Sequence, residues 1–233
     1  MRSLRTLLEI AMENPTDKID HGFVDVYDRA FSRARGSVRN MLEIGVHEGS
    51  SLKMWAAYFP GVQVMGWDLR SYEAGAFGDR VTTHVVDQGS RASVQEFLGA
   101  MRVAQAPMLD LIIDDGSHRM KDQQETLAAL WPTLAPGGAY IIEDLHTSLP
   151  NCPYEWAGGG CLPDFSNSSL RMLERLRDGD GLSSVYLSRD ECGLVEGSCD
   201  SCTIYDVKGD RRHITSILRK KPLERPKSLA EAV

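Results

Sequence analysis

Five apolar runs of strand length, separated by helix-compatible stretches, constrain the fold of this chain most strongly. The runs cover residues 40–46, 62–69, 80–87, 108–115 and 137–144. Strands that are apolar throughout are buried on both faces, and intervening helices make the crossovers that parallel strands require. The sequence therefore predicts an α/β fold, a doubly wound and mostly parallel sheet with helices on both faces.

The length of 233 residues predicts a single domain. Four parts are expected: a helical N-terminal cover (1–35), a core that binds the ligands (36–148), a lid or acceptor loop rich in glycine and proline (149–180), and C-terminal strands with a tail (181–233).

The end of the chain predicts an antiparallel pair of strands that closes the sheet. Its members are SSVYLSRD (183–190) and CTIYDVKG (202–209). The basic stretch 209–227 is interpreted as a solvated tail or an edge strand with charged flanks. The turn before the fifth strand is expected in LAPGG, residues 134–138.

Composition excludes several classes of function. A net charge of −7 argues against non-specific nucleic-acid binding. No apolar run approaches the ~20 residues that span a bilayer, and the N-terminus is too rich in charge for a secretion signal, so a cytoplasmic location without membrane contact is expected. All five cysteines follow residue 150. Reduced thiols are favoured over a zinc site because a second C-x2-C pair is missing, and one surface disulfide remains an alternative.

The carboxyl ends of the predicted strands carry the polar residues expected of a ligand site. The first strand ends in Glu43 and is followed by a turn that contains Gly45 and Gly49. Such glycines let the backbone approach a ligand closely. Residues 45–50 read G-V-H-E-G-S rather than G-x-G-x-x-G, so a dinucleotide is disfavoured.

Three further side chains at these ends suit a nucleoside. Asp68 follows Glu43 by 25 residues, where its carboxylate can accept both ribose hydroxyls, while Asp87 and Gln88 are placed to read an adenine edge. Glu43 would face an ammonium group, so the acid-rich pocket favours the cation S-adenosylmethionine. The alternative for each acid alone is a strand end that faces water. The predicted cofactor-binding residues are Glu43, Gly45, Val46, Ser50, Ser51, Asp68, Asp87 and Gln88.

Asp115, Glu143 and Asp144 follow the fourth and fifth strands, which are neighbours in a 3-2-1-4-5 sheet. Three converging carboxylates repel each other unless a cation is present or some are protonated. Oxygen ligands without a thiolate favour Mg²⁺, then Mn²⁺ or Ca²⁺. His118 follows Asp115 by about one helical turn and is the predicted general base. The alternatives are that His118 bonds a nearby acid at a helix start, or that one acid pair only caps a helix.

Five segments resemble the metal-dependent sugar O-methyltransferases in combination. They are TDKIDHGFVDVYDRAF, LEIGVHEGSSLKMWAAYFPGVQVMGWDL, DQGS, DLIIDDGSH and PTLAPGGAYIIEDLHTS, within residues 14 to about 148. The resemblance implies a class I methyltransferase-like fold, with Mg²⁺ at Asp115, Glu143 and Asp144 and His118 as base. It also implies that S-adenosylmethionine is surrounded by Glu43, Gly45, Asp68 and Asp87. It also implies that the segment from Thr16 to His21 covers the active site.

The resemblance weakens after Ser148, in the region that would line the acceptor pocket. The acceptor is therefore expected to be a sugar in a glycoside, an oligo- or polysaccharide or an antibiotic. The family is commonly oligomeric, so a homodimer or homotetramer is expected, and Trp55, Trp131 and Trp156 are candidates for core or interface. The competing hypotheses are a catechol-type or cephalosporin-hydroxylase-like enzyme on the same scaffold and a non-catalytic protein that binds S-adenosylmethionine.

Overall fold

The computed structural model describes residues 5–150, 152 and 166–223, and its centre is a seven-stranded sheet. The strands are β1 (Asn40–Ile44), β2 (Gln63–Asp68), β3 (Val81–Val85), β4 (Leu109–Asp114), β5 (Leu134–Ile142), β6 (Cys199–Asp206) and β7 (Ile214–Lys220). Their order is β3-β2-β1-β4-β5-β7-β6, and only β7 runs antiparallel to its neighbours β5 and β6 in the described pairings. The predicted doubly wound, mostly parallel sheet is confirmed.

Eight α-helices in the described residues cover the two faces of this sheet. They are α1 (Leu7–Glu13), α2 (Lys18–His21), α3 (Phe23–Phe31), α4 (Ser50–Tyr58), α5 (Arg91–Val103), α6 (Met120–Leu130), α7 (Ser169–Asp178) and α8 (Arg189–Ser198). Helices α1, α3 and α4 contribute to one buried apolar cluster, and α5 to α8 contribute to the other. Trp55 and Trp131 are fully buried in these two clusters, which assigns both to the core.

Four of the described helices, α1, α5, α7 and α8, begin where the sequence offers a side-chain oxygen to the first free N–H groups. Thr6 and Glu9 form a capping box at α1, and Ser188 and Glu191 form another at α8. Helix α4 is different, because it begins after Gly49 in a left-handed conformation without a side-chain cap. Its first turn, Ser50 and Ser51, therefore faces the site with free N–H groups.

The strand register brings the predicted site residues to one edge of the sheet. Ile44 pairs with Asp114, and Asp114 pairs in turn with Ile142. The chain leaves β4 at Asp115 and β5 at Glu143, so these acids emerge side by side. Their backbone N–H groups continue the ladder, Asp115 to the carbonyl of Ile44 and Glu143 to that of Asp114.

Of the two strands predicted to close the sheet, the first is wrong and the second corresponds to β6. Residues 183–190 contain no strand, because Ser188 caps helix α8 and the helix begins at Arg189. The partner of β6 is β7, which lies in the basic stretch predicted as a tail or edge strand. β7 lies inside the sheet, and Ile214–Leu218 is buried. The charged flank is accommodated because Lys220 Nζ donates to two backbone carbonyl oxygens.

Two further predicted features differ from the structure. β5 already begins at Leu134, so LAPGG belongs to the strand, with a shift of register against β4. Residues 169–178 of the predicted lid form α7, whose Leu170 and Leu173 are buried. The rest of that lid, with Trp156 and Cys161, lies largely outside the described residues. Cys152, Cys192, Cys199 and Cys202 are free, and no helix in the described residues could cross a membrane.

Candidate active site

The turn after β1 passes so close to the end of β4 that it requires glycine. Gly45 has φ +92°, and a Cβ atom on it would overlap the carbonyl oxygen of Asp115. At Gly116, which has no left-handed φ, a Cβ atom would overlap the side-chain amide oxygen of Gln88. At Gly45, only glycine tolerates both the left-handed backbone and this close approach.

We expect Gly45→Ala to lower the free energy of unfolding by at least about 3 kcal/mol, because backbone strain and overpacking add. Gly61→Ala is the matched control, since Gly61 has φ +83° but open space around its Cβ position. That control should cost only about 1–2 kcal/mol, the strain alone. Urea denaturation measures both losses, and equal losses would contradict the close-approach explanation.

Two adjoining cavities lie beyond the carboxyl ends of β1, β2 and β4. Their volumes are about 470 and 400 Å³, and both are lined by Gly45, Asp68 and Gly116. Seven of the eight predicted cofactor residues line them: Gly45, Val46, Ser50, Ser51 and Asp68 the larger cavity, and Gly45, Asp68, Asp87 and Gln88 the smaller. Asp115 and His118 also line the larger cavity. Glu43 lines neither.

Asp68 fixes the turn between the two cavities. Its Oδ2 accepts the N–H groups of Val46 at 3.1 Å and His47 at 3.0 Å, and its Oδ1 accepts that of Arg70 at 3.0 Å. Burial opposes ionisation, but these bonds and the Tyr72 hydroxyl lower the pKa of Asp68. Asp68 therefore carries a negative charge at the place predicted for ribose recognition, and that role stays a prediction.

Gln88 is engaged within the protein. Its Nε2 donates to both carboxylate oxygens of Asp114 at 2.7 and 2.8 Å, while its Oε1 accepts the N–H of Ser117 at 2.8 Å. Burial raises the pKa of Asp114 to about 6, against the effect of Gln88. These bonds hold the turn formed by residues 114–117. To bind an adenine edge as predicted, Gln88 would have to do so in addition to making these bonds.

Lys18 lies between three carboxylates. Its Nζ is 2.5 Å from Asp115 Oδ2, 2.9 Å from Glu143 Oε2 and 3.4 Å from Glu43 Oε1. Lys18 is 1% exposed, and Glu43 and Glu143 are equally buried. Burial alone would lower the pKa of Lys18, but Asp115, Glu143 and Glu43 together hold it well above its ordinary value. Asp115 and Glu143, two of the three acids predicted to converge, thus meet at a lysine that neutralises part of their charge, and the third acid beside it is Glu43 rather than Asp144.

The two buried glutamates of this cluster have raised pKa values. Burial raises the pKa of Glu43 to about 7, although Lys18 opposes the shift. Burial and the charge of Asp115 raise the pKa of Glu143 well above its ordinary value, again against Lys18. Glu43, predicted to face an ammonium group of the cofactor, faces the ammonium group of Lys18 instead.

Asp115, His118 and Asp144 form the one group of three or more candidate metal ligands among the described residues. One donor atom from each lies within 4.8 Å of the others. Asp144 Oδ1 is buried and makes no hydrogen bond with the described residues, which suits a site that accepts a cation. Glu143 is not in this group, so a direct bond from Glu143 to the same ion would require its side chain to shift.

The backbone at this group is held in an unusual conformation. His118 has φ +56° and Asp144 has φ +52°, a left-handed conformation that non-glycine residues adopt rarely and mostly where surrounding structure enforces it. The Thr147 hydroxyl lies 2.9 Å from the carbonyl oxygens of both residues and ties the two turns together.

Three histidines surround Asp144. His118 Nε2 is 3.7 Å from Asp144 Oδ2, while His21 Nδ1 and His146 Nδ1 are each 3.7 Å from Asp144 Oδ1. Burial lowers the pKa of His146, and Asp144 opposes this shift. The ring of His213 lies 5.3 Å from that of His21, between centroids.

Comparison with known proteins decides the class of this site. Residues 42–145 match the family described as a methyltransferase domain. The chain carries a methyltransferase domain. Its fold is that of MycE, a methyltransferase from the mycinamycin biosynthetic pathway solved in complex with Mg, SAH and mycinamycin VI, with a TM-score of 0.73 and 28% identity over 96% of this chain and 57% of that one.

Curated relatives of this methyltransferase domain are O-methyltransferases, and some of their names contain a sugar group such as rhamnosyl. The 8-demethyl-8-alpha-L-rhamnosyl tetracenomycin-C 2'-O-methyltransferase of Streptomyces olivaceus is 33% identical over 76% of this chain and 46% of the relative. The mycinamicin VI 2''-O-methyltransferase of Micromonospora griseorubida is 36% identical over 68% of this chain and 39% of the relative. The predicted resemblance to sugar O-methyltransferases is confirmed. The chain spans less than half the length of these curated relatives.

The N-terminal segment lies against the larger cavity, and the role predicted for Thr16 to His21 as a cover of the active site stays a prediction. Thr16 and Asp17 line the larger cavity, and His21 reaches Asp144. The hairpin between β6 and β7 supports this cover from outside, since Lys208 Nζ donates to the carbonyl of Asp20 at 2.5 Å.

Lys18, His21 and His213 lie at the site but are not among the catalytic, cofactor or metal residues predicted from the sequence. A usable signal existed for Lys18, because three converging carboxylates demand positive charge. That charge was assigned to a metal ion alone, although a lysine in the predicted cover could also supply it.

Proposed function

We propose that this protein transfers the methyl group of S-adenosylmethionine to a hydroxyl group of a sugar, with Mg²⁺ as the required cation and Mn²⁺ or Ca²⁺ as alternatives. One observation carries the proposal: Asp115 and His118 line the same cavity as the glycine turn at Gly45 and lie with Asp144 in one group of donors. The rhamnosyl group in the name of one relative and the Mg and SAH bound to MycE support it.

Asp115 and Asp144 would hold the divalent ion, and Glu143 stays a predicted third ligand. Two carboxylates suit a hard cation, and the buried Oδ1 of Asp144 lacks a hydrogen bond within the described part of the chain. The elongated cofactor would occupy the two cavities joined at Gly45 and Asp68. The uncapped first turn of α4 supplies N–H donors there.

When bound, S-adenosylmethionine supplies an electrophilic methyl group and the cation supplies charge that favours an ionised hydroxyl. His118 would act as the general base, with its Nε2 accepting the proton of the acceptor hydroxyl. Asp144 Oδ2, 3.7 Å from Nε2, stabilises the resulting imidazolium.

The acceptor is proposed to be a sugar in a glycoside, an oligo- or polysaccharide or an antibiotic. The histidines beside Asp144 offer donors and acceptors for its other hydroxyls. The expected homo-oligomer, the cytoplasmic location, the single-domain organisation and the lack of nucleic-acid partners stay predictions.

The proposal is tested by incubating the protein with S-adenosylmethionine and a panel of glycosides and catechols, with and without EDTA, and detecting methylated products by mass spectrometry. We expect methylation of at least one glycoside, loss of it with EDTA, and recovery on addition of Mg²⁺. Methylation that EDTA leaves unchanged would contradict the metal requirement. Products from catechols alone would favour the catechol-type alternative, and cofactor binding without any product would favour a non-catalytic protein.

A further inference from the structure

Lys18 occupies a position next to the candidate cation site. The N-terminal cover carries it inward, while Thr16 and Asp17 of the same segment line the larger cavity. Its ammonium is within 3.4 Å of Glu43, Asp115 and Glu143. A buried charge of this kind is retained only when its partners compensate for lost hydration.

Asp115 belongs to two groups at once. Its Oδ2 accepts from Lys18 at 2.5 Å, and the same carboxylate offers a donor atom to the group with His118 and Asp144. A divalent ion bound by Asp115 would therefore share one carboxylate with an ammonium group. Two cations on one carboxylate repel each other, and the repulsion is strong where little water screens it.

Glu143, in contrast, belongs only to the group around Lys18. Its Oε2 accepts from Lys18 at 2.9 Å, and it is absent from the group of candidate ligands in the described residues. Lys18 thus fixes the direction of Asp115 and Glu143 and also reduces the negative charge that a divalent ion would meet.

We propose that Lys18 is a positioning residue that sets the cation affinity of this site, because its ammonium group competes with the divalent ion for Asp115 and holds Glu143 away from it. The inference rests on the proposed function, since it requires a divalent ion at Asp115 and Asp144. A lysine with only a structural role would change the stability of the fold, but its removal would not tighten ion binding.

The test measures Mn²⁺ binding to the full chain by electron paramagnetic resonance of the free ion, without cofactor or acceptor. Lys18→Met keeps the length and removes the charge, and we expect it to bind Mn²⁺ at least ~10-fold more tightly than the wild type. Lys18→Arg retains the charge and should bind within ~3-fold of the wild type.

Lys208→Met is the matched control. It removes the same charge from an exposed residue that contacts the cover only through the carbonyl of Asp20, so its Mn²⁺ affinity should equal that of the wild type. The rise in melting temperature on adding Mn²⁺ provides a second measurement, which should be larger for Lys18→Met than for the wild type or Lys208→Met.

Unchanged or weaker Mn²⁺ binding by Lys18→Met would overturn the inference and leave the proposed function standing. An equal gain in Lys208→Met would also overturn it, because a general charge effect would then suffice. Binding by none of the proteins would overturn both the inference and the metal requirement. If Lys18→Met does not fold, Lys18→Gln replaces it with the same expected tightening.

Discussion

Asp115→Asn is expected to lower kcat/KM for methyl transfer by ~10³-fold or more, a loss of about 4 kcal/mol in transition-state stabilisation. The substitution keeps the shape of the side chain but removes the charge that links the cation site to the cavity. Asp115 contacts Lys18, lines the larger cavity and belongs to the group with His118 and Asp144. No other described residue contacts Lys18, lines the larger cavity and also belongs to this group of candidate metal ligands.

The measurement compares initial rates at saturating S-adenosylmethionine and the Mn²⁺ dissociation constant of the same preparation. Asp110→Asn is the matched control on the same strand. Asp110 lies at the opposite end of β4, where its Oδ2 accepts the N–H groups of Arg39 and Asn40. Asparagine can still accept these bonds through its oxygen, so this control should retain its rate and its Mn²⁺ affinity.

Intact turnover with intact metal dependence in Asp115→Asn would contradict the proposed mechanism. A lower rate with unchanged Mn²⁺ affinity would place the ion elsewhere and leave Asp115 as a residue that orients Lys18. Folding is checked by circular dichroism, because the substitution removes one counter-charge of a buried lysine.

The core of the sheet could be predicted from the sequence because its signal is local. Strands β1 to β5 are short apolar runs, and each is followed by a helix or a turn with glycine. Parallel strands connected by helices leave few topologies, so the positions of Asp115 and Glu143 at one edge followed directly. That edge required no knowledge of distant contacts. For Gly45 the sequence predicted the close approach of a ligand, whereas its contact with the carbonyl oxygen of Asp115 arises only in the folded chain.

The C-terminal strands depended on contacts that the sequence pattern does not encode. β7 carries Thr215 and Ser216, fully buried, where Thr215 bonds the carbonyl of Ile142 and the hydroxyl of Tyr27. Because these residues are polar and are flanked by lysines and arginines, the sequence pattern does not indicate a strand in the interior of a sheet. Their hydrogen bonds come from β5 and α3, so only the folded chain satisfies them.

The site was predicted in its acids but not in its charge balance. Asp115 and Glu143 meet as expected, and Glu43, predicted as a cofactor residue, joins them. The ammonium group among them comes from Lys18, which is 97 residues from Asp115 in the sequence. Periodicity and strand ends identify residues of one sheet edge, whereas a side chain carried in by a four-residue helix leaves no periodic signal. The converging acids indicated that a positive charge must be present, but the sequence pattern did not distinguish a metal ion from a lysine side chain.

His118→Asn is expected to lower kcat by ~10²–10⁴-fold, the usual contribution of a general base. Asparagine tolerates the left-handed backbone at this position, where φ is +56°, so the loss should reflect the missing basic nitrogen rather than strain. His146→Asn is the matched control, because His146 lies at the same 3.7 Å from Asp144. That control should keep kcat within ~10-fold, since the proposed mechanism assigns it no proton transfer.

The Mn²⁺ affinity of His118→Asn separates the two roles that the geometry allows for His118. As a base, His118 contributes nothing to ion binding, so the dissociation constant should stay within ~3-fold while kcat falls. As a third ligand, its removal would weaken ion binding together with the rate. Added imidazole should restore part of the rate only in the first case, because the cavity of about 470 Å³ that His118 lines can admit the free base. A rate loss that imidazole does not rescue, together with weaker Mn²⁺ binding, would show that His118 is a metal ligand and not the general base.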